Sequence, residues 1–135
     1  MKIKLINYGA ERAPERAHYN DSGADIFALT DVNIAPHSVE KVPTGWGAEI
    51  PDGYDIVVHC KSGLAARGIL AANAPVDAGY TGEINAILLN AGPDPVDIKA
   101  GEKIGQFVVR PVIYADFVRV LGKARGDGAF GSTGR

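Results

Sequence analysis

The chain has 135 residues, with 14 Lys and Arg against 16 Asp and Glu, for a formal net charge of −2. That length can bury one core without staples, and the near-neutral balance provides no broad cationic field for a polynucleotide, so no nucleic-acid partner is expected. With Cys60 as its one cysteine the chain can form no internal disulfide. Charge at Lys2 and Lys4 interrupts any secretory apolar segment, and runs such as Ala86-Ile87-Leu88-Leu89 are far too short to span a membrane, so a soluble, cytoplasmic protein is expected.

In chain order, 17 glycines and 8 prolines punctuate short apolar stretches and leave few windows long enough for a helix. The pattern predicts an all-β fold with strands at Ile3 to Ile6, Asp25 to Leu29, Val32 to Ile34, Val39 to Val42, Gly47 to Ile50 and Tyr54 to His59. Further strands are expected at Glu83 to Asn90, Asp97 to Lys99, Lys103 to Val112 and Asp116 to Val120. One short helix is expected at Ser62 to Arg67, with Ser62 as its N-cap. Pro51-Asp52-Gly53 and the segment from Asn90 to Pro95 read as turns. Many short strands at this spacing fit a sandwich, a jelly roll or a barrel.

Polar residues with chemical potential cluster at the ends of these strands. Asp77-Ala78-Gly79-Tyr80-Thr81-Gly82-Glu83 places a carboxylate and a phenol on either side of a turn. Asp77 is then either a turn-forming aspartate or a general base able to deprotonate a water. His59-Cys60-Lys61-Ser62-Gly63-Leu64 runs from a strand into the short helix. It fits either a capped helical turn or a phosphate seat made of free N–H groups, a hydroxyl and an ammonium. Asp25 opens a strand after Asp21-Ser22-Gly23-Ala24, as a turn residue or as a carboxylate facing hydrated Mg²⁺. Gln106, within Gly101-Glu102-Lys103-Ile104-Gly105-Gln106, is either a solvated strand residue or a donor to a phosphate oxygen. The three histidines and Cys60 lack zinc-ligand spacing.

From Arg125 to Arg135 the chain carries four glycines, two hydroxyls, the ring of Phe130 and an arginine at each end. Such a segment cannot build a core. It reads as a frayed terminus or as a flap, in which glycine N–H groups and guanidinium forks meet phosphate oxygens while Phe130 covers a base.

Taken together in order, these islands resemble the five motifs of the trimeric dUTPase family. The motifs are matched by Gly23-Ala24-Asp25-Ile26, Lys61-Ser62-Gly63-Leu64-Ala65, Val76-Asp77-Ala78-Gly79-Tyr80-Thr81-Gly82-Glu83, Gly101-Glu102-Lys103-Ile104-Gly105-Gln106 and the segment from Arg125 to Gly134. The resemblance spans nearly the whole chain. It implies a distorted jelly roll of the β-clip type, with residues 1–122 as the β domain and residues 123–135 as a flexible tail closing over a neighbouring subunit's active site. It also implies a homotrimer with sites at subunit interfaces and Mg²⁺-dependent hydrolysis of dUTP to dUMP and pyrophosphate.

Carried over residue by residue, the resemblance makes Asp77 the base that activates water and sets Tyr80 against the deoxyribose, where a 2′-hydroxyl would clash. Lys61, Ser62, Gly63 and Gln106 would hold the triphosphate, Asp25 would act on Mg²⁺ through water, and Asn73 and Val76 would border the uracil. From the tail, Arg125 would reach the γ-phosphate, Phe130 would stack on uracil, and Gly131, Ser132 and Thr133 would bind phosphate oxygens. The chain departs from the family pattern at several of these places. Ala74 stands where glycine is common, Pro75 contributes no N–H to the base-binding segment, Lys61 and Lys103 replace usual arginines, Cys60 replaces a common proline, and Ala129 a common glycine. Retuned phosphate contacts are expected, since lysine keeps the charge and loses the bidentate fork. The dCTP deaminases, which share this fold, and a nucleotide-sensing regulator on the same scaffold are the alternatives.

Overall fold

Alternation of buried and exposed side chains, more than the propensity of any one residue, organises the chain. The structure is a computed structural model describing residues 1–122. Its elements are β1 (Lys4–Asn7), β2 (Ala24–Phe27), β3 (Val32–Ile34), β4 (Val39–Pro43), β5 (Trp46–Glu49), β6 (Tyr54–Cys60), α1 (Ser62–Ala65), β7 (Ile69–Ala71), β8 (Pro75–Val76), β9 (Asn85–Asn90), β10 (Val96–Ile98) and β11 (Lys103–Pro111). They form a four-stranded sheet in the order β2-β11-β6-β8, a three-stranded sheet β4-β9-β7, and two ribbons, β1-β5 and β3-β10. Every strand pair is antiparallel.

The two larger sheets share one core. Ile26, Ile56, Val58, Ile104 and Phe107 come from the four-stranded sheet; Val42, Ile69, Ala86 and Leu88 come from the three-stranded one. Along β9 the period of two is explicit, with Ala86, Leu88 and Asn90 buried while Asn85, Ile87 and Leu89 face outward. Asn90 is fully buried, and its amide is fully used: Nδ2 donates to Ile34 O at 2.9 Å and Asp94 O at 2.7 Å, while Oδ1 accepts from Gly92 N–H at 2.9 Å. One side chain thereby ties the end of β9 to β3 and to the following turn.

On the outer face of the four-stranded sheet, Arg110 lies directly opposite Asp55. Its Nε and Nη2 donate to the two carboxylate oxygens at 3.1 and 3.0 Å. Asp55 is buried, and this two-point contact satisfies it.

Three expectations need correction. Asp116 to Val120 forms no strand: no described strand pairs with it, and Phe117 is 99% exposed. Alternating apolar residues supply strand propensity, but a strand exists only where another edge completes its ladder. The short helix ends at Ala65, and Ser62 is its first helical residue; Lys61 holds the cap position with no side-chain cap bond. Finally, β7 and β8 are absent from the expected strands because, at three and two residues, they are too short for a period of two to show, although Ile69 and Val76 favour strands. β8 begins on Pro75 at the sheet's edge, where a missing N–H costs no ladder bond.

Replacing Asn90 with Ala leaves the buried Ile34 carbonyl, and the partly buried Asp94 carbonyl and Gly92 N–H, without their partner, so urea denaturation should show a loss of about 2–4 kcal/mol. An unchanged midpoint would show that water replaces the amide.

Candidate active site

β8 leads directly into the segment carrying Asp77. A turn follows, in which Tyr80 N–H donates to Asp77 O at 3.1 Å and Gly79 takes φ +93°, a conformation that side-chain-bearing residues rarely adopt. The Tyr80 hydroxyl then donates to Glu83 O at 2.8 Å, fixing the phenol over Gly82. The Glu83 carboxylate accepts Gly45 N–H at 2.8 Å, and the buried Thr44 hydroxyl donates to Ile84 O at 2.5 Å. The hairpin is therefore anchored at its root while Asp77 and Tyr80 stay exposed at its tip.

Beside this hairpin lies a cavity of ≈ 290 Å³, floored by Val58, Ala72, Ala74, Pro75 and Val76 and bordered by Asp77 and Tyr80. An apolar floor with a few polar groups at the rim suits a flat heterocycle joined to a polar chain. Asn73 is exposed on the same segment and is not among the lining residues. Glu83, which closes the third motif, lines the cavity too, as do Lys41 and Asn85, which sequence reasoning did not single out. The available signal was the alternation of β4 and β9, which turns Lys41 and Asn85 outward when Val42 and Ala86 turn in.

The expected phosphate residues gather elsewhere. In β11, Gln106 lies opposite Asp25 on one side and His59 on the other, so the three side chains share a sheet face. A Cβ at Gly23 would collide with the Gln106 side chain, so glycine there is a steric requirement for the glutamine's position. Lys103 Nζ pairs with Asp25 Oδ2 at 2.8 Å, a partner that sequence reasoning placed in the motif without assigning it this contact. At this same end of the sheet, β6 runs through Cys60, paired with Gly105, into the exposed Lys61, Ser62 and Gly63. The first N–H groups of α1 have no acceptor within the helix, although one turn is too short to contribute much dipole.

Cys60 braces this loop from within. Its Sγ lies 3.0 Å from Ile69 O and 3.3 Å from Lys61 O, in position to donate its single proton to either carbonyl. Burial pushes the thiol pKa above its ordinary value.

The structure thus brings Val76, Asp77 and Tyr80 together around a cavity, and Asp25 together with Gln106, but it does not join the two groups. Gln106 pairs with His59, whereas cavity-lining Val58 pairs with Phe107; adjacent positions of one ladder face opposite sides of the sheet. Arg125, Phe130, Gly131, Ser132 and Thr133 lie outside the described residues.

A family model described as dUTPase matches residues 10–134. The chain belongs to the dUTPase family. Among its relatives, the deoxyuridine 5′-triphosphate nucleotidohydrolase of Thermobifida fusca is 48% identical over 128 residues, covering 90% of this chain and 72% of the relative. The protein of the same name from Clostridium tetani is 38% identical over 141 residues, covering 100% and 97%. The solved dUTPase of Staphylococcus bacteriophage 80alpha, a mutant with dUpNHpp, superposes with a TM-score of 0.85 at 23% identity, covering 98% of each chain. A mutant dUTPase from phage phi11 of S. aureus, described with a structural Mg(II) ion, gives 0.82 at 22%, covering 91% of this chain and 99% of that one. At such identities the phage structures establish the fold, which is the nearly all-β, jelly-roll-like architecture expected.

Because its pKa is raised, Cys60 holds less thiolate at pH 8 than a free cysteine does, and the gap closes only as pH climbs past the raised value. Iodoacetamide labelling followed by mass spectrometry should be slower than for glutathione at pH 8. Equal or faster labelling would show that the thiol is solvated.

Proposed function

We propose that this family member hydrolyses dUTP to dUMP and pyrophosphate, lowering dUTP and supplying dUMP. The observation that carries this reading is a carboxylate, Asp77, held on a rooted hairpin at the mouth of an apolar, base-sized cavity, in a chain whose curated relatives bear that activity in their name.

The chemistry follows from the side chains. Asp77 accepts a proton from a water as its oxygen bonds to the α-phosphorus; the α–β bridging P–O bond breaks and pyrophosphate leaves with its electrons. Tyr80, pinned through its hydroxyl, presents its ring to the sugar and excludes a 2′-hydroxyl by shape. The cavity floor of Ala74, Pro75 and Val76 receives uracil. Pro75 offers no N–H, so recognition of the base edge rests on the remaining backbone groups of that segment. Lys61, Ser62, Gly63 and Gln106 bind the triphosphate, with lysine at position 61 acting as a point charge.

Asp25 is one carboxylate beside a lysine, and no cluster of three or more metal-binding side chains occurs among the described residues. That donor set suits Mg²⁺, which keeps most of its waters and takes the rest of its ligands from substrate phosphates. Asp25 would hold the hydrated ion, and the ion when bound would neutralise phosphate charge.

The placement of Gln106 and the cavity on opposite sheet faces supports a site assembled from several subunits, as in a homotrimer. On this reading residues 1–122 form the β domain. Residues 123–135 form a tail that brings Arg125, Phe130, Gly131, Ser132 and Thr133 over a neighbour's nucleotide. No helix among the described residues is long and apolar enough to cross a membrane, and we place the enzyme in the cytoplasm, where it meets the nucleotide pool.

Incubation with dUTP, dCTP, dTTP and UTP should release pyrophosphate from dUTP alone. Ammonia from dCTP would select the deaminase, and tight dUTP binding without turnover the regulator. Asp77→Asn should bind a non-hydrolysable dUTP analogue nearly as the parent does while turnover falls by at least ~10². Unchanged turnover would remove Asp77 from the mechanism.

A further inference from the structure

Outside every motif discussed above, Tyr8 closes a bond of unusual span. Its hydroxyl donates to Thr81 O at 2.6 Å, a contact between residues 73 positions apart. Thr81 follows Tyr80 directly, so the bond grips the returning limb of the hairpin two residues nearer its tip than the Glu83 anchor.

The surroundings show that Tyr8 is itself held. β1 pairs with β5 from Lys4↔Glu49 to Asn7↔Trp46, and Tyr8 N–H donates to Gly45 O at 2.7 Å. Beyond it the chain is turned sharply, because Asn7 Oδ1 accepts the N–H groups of Gly9 at 2.7 Å and Ala10 at 2.9 Å. Gly45 thus serves two strands at once, since its own N–H donates to the Glu83 carboxylate. Gly47 makes the close approach feasible. A Cβ there would lie 2.6 Å from Gly82 O, 2.8 Å from Tyr8 Cε2 and 2.9 Å from Thr81 O. Only hydrogen at that position lets ring and hairpin carbonyls pack against β5.

We infer that Tyr8 is a positioning residue for the reaction: its hydroxyl clamps the Asp77–Gly82 hairpin, setting where the carboxylate meets the water and how closely Tyr80 meets the sugar. The inference rests on the proposed dUTP hydrolysis. The proposed triphosphate residues belong to the opposite face of the four-stranded sheet, and none of Lys61, Ser62, Gly63 and Gln106 bonds to Tyr8 or Thr81. Loosening the clamp therefore acts on turnover and on sugar selection while leaving substrate affinity nearly intact.

Tyr8→Phe removes the hydroxyl and keeps the ring. The expected result is a fall in kcat for dUTP of about 5- to 10-fold, the scale of one lost hydrogen bond, with KM within about 2-fold of the parent. The preference for dUTP over UTP should shrink by a similar factor. Gly47→Ala, which keeps the hydroxyl but displaces its acceptor, should share this signature. In Tyr8→Phe, exchange of the Tyr80 amide hydrogen, which is bonded to Asp77 O, should quicken while melting stays within a few degrees, about what one surface hydrogen bond contributes. Parental kcat and UTP rejection in Tyr8→Phe would overturn the inference. So would unchanged exchange of the Tyr80 amide, a result that can be read whatever substrate the enzyme takes. Failure of the parent to release pyrophosphate from dUTP would instead defeat the proposed function.

Discussion

The ladder between β6 and β11 is the interaction on which the rest of the structure depends. Its seven registered pairs, from Gly105↔Cys60 to Pro111↔Tyr54, make these the two central strands of the four-stranded sheet. Inward positions such as Ile56, Val58 and Phe107 enter the core, and the outward row contains His59 and Gln106. A one-residue slip would invert both rows, burying Gln106 and exposing Phe107. The penalty for burying an unpaired amide and exposing a ring makes that register unambiguous.

That single register also separates the chemistry. β6 ends by delivering Lys61, Ser62 and Gly63 beside Gln106, while its middle pairs with β8 and so launches the segment that carries Asp77. The row containing Gln106 and the cavity beside Asp77 are thus products of the same ladder, placed on opposite faces by its period of two. This separation is what the proposed trimer with shared sites would resolve, since a second copy can bring one face against the other.

Polar groups inside the fold serve geometry more than net stability. The Asn90 amide, the Thr44 hydroxyl and the Glu83 carboxylate each bond to backbone groups of other segments, and no buried side-chain polar atom among the described residues lacks a partner. Such bonds add modestly to folding free energy, yet each is costly to leave half-made, so they select one arrangement of turns. The hairpin bearing Asp77 and Tyr80 profits directly, because the general-base role proposed for Asp77 demands placement to within about an ångström.

Local sequence was enough for the fold class, most strand positions and the order of the chemical islands, because alternation, glycine and proline placement and turn chemistry act over a few residues. The ends of β3 were read to the residue, and most other strands to within one or two. Asp77, Tyr80 and Gln106 were legible as types at turns and strand ends. Tertiary structure alone decided the partners: Lys103 on Asp25, Tyr8 on Thr81, Lys41 and Asn85 at the cavity, and the absence of a strand at Asp116 to Val120. Each depends on which distant segment lies alongside, and local preference carries no record of that. The short segments of β7 and β8 became strands for the same reason, since a neighbouring edge was there to complete their hydrogen bonds.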